Sequence, residues 1–342
     1  MNVTKRNFKL LVLIFLASVI LLCEPQILKA GQRPDVDFQL MPGKVMIKIG
    51  GEPFATYFFE EDDPPRPFFA HVKSPSGIQA TRNFPPIKGK DPTDHDKWHP
   101  GIWLAFGDIS GNDYWRADAK VEHEMFLEKP KGGKGMGTFT VSNYYREQGT
   151  DDRLVHEICQ YKILAYEDCY MILYDSIFSS DKTDFYFGDQ EEMGLGIRVA
   201  TPITVEYGKG HIYNAKGDVD EDGVWGYRGG QSDWVDLSGV IDDTYVGMMV
   251  MPDPRNFRGS WYHARDYGFV AANPFGKKAM FDGSGKDIEK SKTVVKKGEK
   301  FHLGFGIAVY SKPDENSVDR DDIYIKYLQT LLKKDKKQNC KD

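Results

Sequence analysis

From about residue 44 to residue 310 the chain is a succession of short apolar or alternating runs, broken by Gly, Pro, Asn and Asp. That rhythm belongs to sandwiches and barrels rather than to helical bundles. Lys44 to Ile49, then Gly50-Gly51, then Pro53 to Phe59 spell a hairpin, because paired glycines supply the positive φ of a tight turn. Further strands are predicted at Val121 to Leu127, Gly137 to Tyr145, Leu154 to Leu164, Tyr170 to Phe178, Phe185 to Phe187, Gly196 to Tyr207, Tyr245 to Met251 and Phe301 to Tyr310. Aromatic and β-branched residues dominate them, as a pleated, half-buried surface prefers. Only the C-terminus carries helical spacing. Ile325, Leu328, Leu331 and Leu332 recur on one face of a helix predicted at about 319–335, with Asp319 as its N-cap. A short helical turn is predicted near Thr93 to Trp98, and residues 31–40 and 336–342 read as loose ends. The predicted fold class is all-β: one large antiparallel β-sandwich over 31–342, with a short C-terminal helix.

The first thirty residues follow a different pattern. Lys5, Arg6 and Lys9 precede an unbroken apolar run from Leu10 to Leu22, which falls short of the roughly 20 residues that span a bilayer. A basic start, a short apolar core and a small residue describe a secretory signal cleaved near Ala30, hence a periplasmic or secreted protein. Cys23 offers a lipoprotein anchor as the alternative, but it follows Leu22 where a small residue is usual. No later segment is long and apolar enough to cross a membrane.

Composition narrows the function. The chain carries a formal net charge of −6, and the basic leader leaves the remainder more acidic still. Without a basic stripe this is a poor nucleic-acid binder. The lysine cluster Lys333, Lys334, Lys336, Lys337 and Lys341 reads as a solvated helix end favoured by the helix dipole. Four cysteines in 342 residues are no disulfide scaffold, and a turn at Ala165 to Asp168 does not set Cys159 opposite Cys169, so both read as free thiols. No nucleophile elbow, phosphate loop or dinucleotide fingerprint occurs, which argues against a nucleotide cofactor. Nothing in the sequence implies a stable protein partner.

Three polar clusters stand out. Asp94-His95-Asp96-Lys97-Trp98-His99-Pro100-Gly101 precedes an apolar strand, Ile102 to Phe106. Two imidazoles four residues apart can share a helical face as metal ligands, serve as a general base and its partner, or simply cap strand ends. Gly188 to Arg198 sets the consecutive carboxylates Glu191 and Glu192 beside flexible glycines. There Arg198 either clamps a substrate carboxylate or sits in a structural ion pair. His263-Ala264-Arg265-Asp266-Tyr267-Gly268 puts a base, a cation and a phenol on one side of an extended segment, with Asn273-Pro274-Phe275-Gly276 after it. The tryptophans, Trp234 among them, lie mostly near such clusters, where an aromatic face suits a sugar ring; most tryptophans elsewhere fill cores. Asp218, Asp220, Asp222 and Gly223 imitate the start of a calcium loop, yet Gly229 stands where a bidentate Glu is required, so an acidic hairpin loop is expected.

D-H-D-K-W-H-P-G-I-W-L-A-F-G-D (Asp94 to Asp108), E-M-G-L-G-I-R-V-A (Glu192 to Ala200), R-D-Y-G (Arg265 to Gly268) and N-P-F-G (Asn273 to Gly276) together resemble a bacterial family that carries the label "methane oxygenase PmoA". The likeness runs from about Lys44 to Tyr310. Members are similar to exported proteins of polysaccharide-degrading bacteria. The resemblance implies a sandwich like that of the galactose mutarotases, and hydro-lyase activity on uronate-ended oligosaccharides, as in ulvan breakdown. The family's commoner first motif, D-H-P-H-H-R-G, has more histidines; Asp96, Lys97 and Trp98 stand between the two here.

The expected function is a carbohydrate-active lyase, a dehydratase acting on a terminal uronate. The alternatives are a mutarotase- or epimerase-like isomerase and a non-catalytic sugar-binding module. Expected catalytic residues are His95, His99, His263 and Tyr267. Expected substrate-binding residues are Glu192, Arg198, Trp234, Arg265 and Asn273. A divalent metal on His95, His99 and His263, completed by Glu192 or water, is the alternative to purely acid–base chemistry. The three motifs are expected to converge on one site.

Overall fold

In the computed structural model, residues 33–281 and 287–338 are described, with side chains to residue 332. The leader with Cys23, the side chains of the lysine tail and Cys340 lie outside the described residues. From Arg33 onward the chain forms one compact unit. No helix among the described residues is long and apolar enough to cross a membrane.

The glycine pair does what its chemistry dictates. Gly50 and Gly51 sit at φ +61° and +86°, and Lys44–Ile49 pairs antiparallel with Glu52–Phe58 around them. That hairpin lies within a nine-stranded sheet. Its order is Trp261–Arg265, Phe269–Asn273, Met193–Arg198, Ile102–Phe106, Phe68–Ala70, Glu52–Phe58, Lys44–Ile49, Asp35–Met41 and Gly133–Lys134. A second sheet of eight strands runs His211–Asn214, Val235–Ile241, Thr244–Pro252, Phe301–Lys312, Cys169–Ser179, Arg153–Ala165, Met136–Arg146 and Val121–Lys131. All pairings between these strands are antiparallel, as the alternating pattern predicts. The main core is filled from both sheets: Ile102, Leu104, Leu195, Ile197 and Val270 from the first, Val141, Ile163, Ile172, Val250 and Val309 from the second. Each such side chain contributes about 1.5–3 kcal/mol by leaving water.

The C-terminal helix, Arg320–Gln338, covers the outer side of the eight-stranded sheet through Ile323 and Tyr327, which pack with Leu164, Met249, Met251 and Tyr310. The Asp319 carboxylate accepts from the Asp322 amide at 2.8 Å, so the predicted N-cap is present. The predicted apolar face is rotated, however. Ile325 and Leu332 are exposed, because Ile323 and Tyr327 offer the larger joint surface to the sheet. Asp35–Met41, read as a loose end, is a strand next to the sheet's short edge pair. Only Val36 in it is fully buried, so the apolar signal is faint. The strand expected to run to Tyr207 stops at Arg198; Pro202 then sits in a short 3-10 turn, Thr201–Ile203. Cys159 and Cys169 are free and buried, on different sides of the second sheet.

Candidate functional site

The period-two alternation of the first sheet decides what faces away from the core. In successive strands, His263 and Arg265, Phe269 and Ala271, Gly196 and Arg198, Trp103 and Ala105, and Phe68 and Ala70 alternate with core residues and point outward together. Trp103, Trp115, Phe269 and Ala271 form a small buried aromatic layer there, with Tyr267 against it. Gly196 makes room for it: a Cβ at that position would lie 2.6 Å from the Trp103 ring.

The histidine segment lies over this layer, and two arginines hold it. The buried Arg82 guanidinium donates to the carbonyls of Pro92, Asp94, His95 and His99. Arg66, also buried, donates to the carbonyls of Tyr114, Trp115 and Trp98. The predicted helix at Thr93 to Trp98 is instead one irregular turn, in which the His99 amide donates to the His95 carbonyl at 2.9 Å. Four-residue spacing still brings the imidazoles together: the rings of His95 and His99 stack 4.8 Å apart, 14° from parallel. His99 continues the stack onto Phe269 at 4.4 Å and Trp103 at 5.0 Å.

Asp94 is the electrostatic centre. Its Oδ2 lies 2.8 Å from His95 Nδ1, and its Oδ1 accepts from Arg198 Nη2 at 2.8 Å, with Arg82 3.7 Å away. Burial opposes its ionisation. The hydrogen bonds from His95 and Arg198 and the two guanidinium charges outweigh that and hold the carboxyl well below the usual range. An ionised Asp94 keeps the His95 proton on Nδ1 and leaves Nε2 as an acceptor. His95 itself is held at φ +49°, a left-handed conformation costing a side-chain-bearing residue about 1–3 kcal/mol. Tyr267 stacks on His95 at 5.6 Å and lies under the Arg198 guanidinium, 4.3 Å from ring centroid to carbon. Burial, opposed by the charges of Arg198 and Arg265, pushes its phenol up to about 12.

A second group of polar side chains lies around His263. Its ring packs edge-on against Phe269 at 5.1 Å. Glu191 Oε2 is 3.7 Å from His263 Nε2 and 3.6 Å from Arg265. Glu192 is held by Arg116 at 2.6 Å, and Asp113 holds Arg116 in turn. Burial, with Arg265 next, drops His263 to about 3, the Glu191 carbonyl opposing weakly, so the imidazole is neutral. Burial drives His99 in the same direction, reinforced by Arg198.

The three motifs therefore converge, and His95, His99, Tyr267, Arg198, Glu192, His263 and Arg265 share one face. Not every expected role survives. Arg198 is buried and spends Nη2 on Asp94, so it positions the dyad rather than meeting solvent. Tyr267 lies in the turn between two strands, where the Gly268 amide bonds back to the Arg265 carbonyl, not in the extended segment. Asn273 is structural: its amide nitrogen donates to the Gln190 and Glu191 carbonyls, and its oxygen accepts from the Phe275 and Gly276 amides. Trp234 leads into a strand of the other sheet and packs beneath the C-terminal helix with Tyr245 and Ile323. His95 and His99 cannot both join His263 as ligands of one metal in this arrangement. Their stacked, nearly parallel rings direct in-plane lone pairs into separate planes. The acidic run is not the expected hairpin loop: Asp220–Val224 forms one short helix, with Asp220 accepting from the Ile212 amide and Asp218 from Asn214 just before it.

Sequence reading passed over Arg82 and Arg66, since a lone arginine in a loop carries no pattern. It also gave Asp94 no role beyond the motif, although an acid immediately before a histidine was visible.

A β-sandwich whose outer sheet face carries a histidine–carboxylate dyad amid arginines and aromatics is thus the class of protein that fold and site define. The chain belongs to the family described as "Family of unknown function (DUF6807)", whose model matches residues 44–321. No curated protein matches the sequence. Among solved structures it is similar to the GH36 α-galactosidase AgaB from Geobacillus stearothermophilus, with TM-score 0.41, 10% identity, and coverage of 82% of this chain and 41% of that one. It is also similar to a galactose mutarotase-like protein from Lactobacillus casei, with TM-score 0.33, 9% identity, and coverage of 80% and 100%. The chain spans about two-fifths of the galactosidase's length. Scores and identities this low leave the activity to be argued from the site.

Proposed function

We propose that this protein is a carbohydrate-active dehydratase that removes water from a terminal uronic acid of an oligosaccharide. The observation that carries the reading is the Asp94–His95 dyad with the Tyr267 phenol stacked on the same imidazole. Proton abstraction needs an oriented base with a free acceptor, and elimination needs an acid for the departing hydroxyl. The uronate C5 proton is α to a carboxylate, so its removal yields an enolate that a nearby cation stabilises. His95 Nε2 takes that proton; Tyr267, still protonated at neutral pH, gives its proton to the 4-hydroxyl, which leaves as water as the C4–C5 double bond forms. Arg265, partly exposed and only loosely paired with Glu191 and Glu221, is the cation free to meet the substrate carboxylate. The uronate itself is taken from the family resemblance.

Purified protein incubated with saturated uronate-ended oligosaccharides should produce rising ultraviolet absorbance and a product lighter by one water. A broad panel of such substrates giving neither change would remove the reading. Altered optical rotation without mass loss would replace it with an isomerase.

A further inference from the structure

The geometry points to a divalent metal site built from His263, Glu191 and Glu192, distinct from the His95 dyad. We propose that it takes a first-row divalent cation such as Mn²⁺ or Zn²⁺, with one imidazole nitrogen and two carboxylates as ligands. One ligand atom from each residue lies within 4.8 Å of the others. Such ligands sit about 2.0–2.2 Å from the metal, so no two can be more than about 4.4 Å apart once it binds. The set must contract by a few tenths of an ångström. His263 Nε2 and Glu191 Oε2, at 3.7 Å, already meet that limit. The Glu191 and Glu192 side chains, 38% and 24% exposed, retain the freedom to close.

Paired carboxylates alone would mean little. The independent observation is the imidazole: His263 is 4% exposed, and neither ring nitrogen has a hydrogen-bond partner of acceptable geometry. Leaving a buried polar group unpaired is costly, and a cation between Nε2 and the carboxylates removes that cost. Arg116 bonds one Glu192 oxygen and leaves the other open, and Asp113 fixes Arg116; this is the outer support that ligating carboxylates ordinarily have. Asn273 anchors the carbonyls of Gln190 and Glu191, so the loop bearing both acids is preorganised. The site stands on this geometry and not on the dehydratase reading.

The test uses chelator-stripped, tag-free protein titrated with Mn²⁺ alone and followed by the loss of the free-ion electron paramagnetic resonance signal. One equivalent should bind, and the bound ion should show nitrogen hyperfine coupling from one imidazole. His263→Gln should abolish that coupling; Glu191→Gln and Glu192→Gln, at more tolerant positions, should each weaken binding at least tenfold. Glu221→Gln, a nearby acid outside the set, should leave affinity within twofold. Substoichiometric binding, absence of nitrogen coupling, or equal weakening by Glu221→Gln and Glu192→Gln would each overturn the assignment, whether or not dehydration is observed.

Discussion

At the scale of single residues, the site separates side chains that do chemistry from those that aim them. His95→Ala removes the proposed base, and kcat for dehydration should fall roughly 10²–10⁴-fold with only a small drop in melting temperature, since the ring is partly exposed. Tyr267→Phe keeps the stack and should lose a comparable factor in absorbance-monitored turnover; retention of full rate would remove Tyr267 as the acid. His99 makes a thermodynamic prediction instead. Burial, then the charges of Arg198 and His95, lowers it well below its ordinary 6.5. The unfolded chain therefore binds a proton near pH 6.5 that the folded chain refuses, and this contribution to stability is present above that pH and lost below it. Stability should drop by up to about 1.4 kcal/mol per pH unit from this residue as the solution is acidified below about 6.5. His99→Phe preserves stacking on Phe269 and Trp103, and urea midpoints measured across that range should show a flatter acid limb.

At the scale of elements, what the sequence made legible tracks how much of each strand is buried. Leu154 to Leu164 and Phe301 to Tyr310 were readable because alternate or successive residues are aromatic or β-branched and end in the core. Asp35–Met41 was not, because a strand near the sheet's edge with only one fully buried residue carries little apolar signal. The helix was readable in extent but not in rotation, since the spacing of Ile325, Leu328 and Leu332 is as good as that of Ile323 and Tyr327, and only the sheet surface chooses. Arg320 shows how that choice is locked. Its Nε donates at 2.6 Å to Asp236, which is wholly buried and also accepts from Tyr310 and Ser238. Arg320→Met would remove the guanidinium from over the Tyr213 ring and leave the Asp236 carboxylate without its cation. Breaking a buried pair on one side costs about 3–5 kcal/mol, and denaturant unfolding should register a loss of that order. A change below about 1 kcal/mol would show that solvent already pairs with Asp236.

At the scale of the whole molecule, the site is a product of topology more than of any motif. His95 and Tyr267 are far apart in sequence, and the two stack because the sheet order brings Phe269–Asn273, Met193–Arg198 and Ile102–Phe106 side by side. Three motifs in one chain hinted at convergence; which residues would act and which would brace could not be read, since that depends on partners contributed by distant loops. Arg82 is the clearest brace. Burial and the charge of Arg198 pull its guanidinium down to about 10, still protonated at neutral pH, and its four carbonyl bonds tie the histidine turn to the sheet. A lysine keeps the charge but not the planar fork that reaches four acceptors at once. Arg82→Lys should therefore leave the β-sandwich folded while loosening residues 92–99. Amide exchange at Trp98 and His99, whose N–H groups bond to the His95 carbonyl, should accelerate at least tenfold, with core strands such as Phe301–Lys312 unaffected. Dehydration should fall mainly through kcat, because a misaimed His95 still binds sugar but no longer faces the C5 proton. Unchanged exchange at Trp98 and His99 would mean that Arg66 and the stacking on Phe269 and Trp103 hold the turn without Arg82.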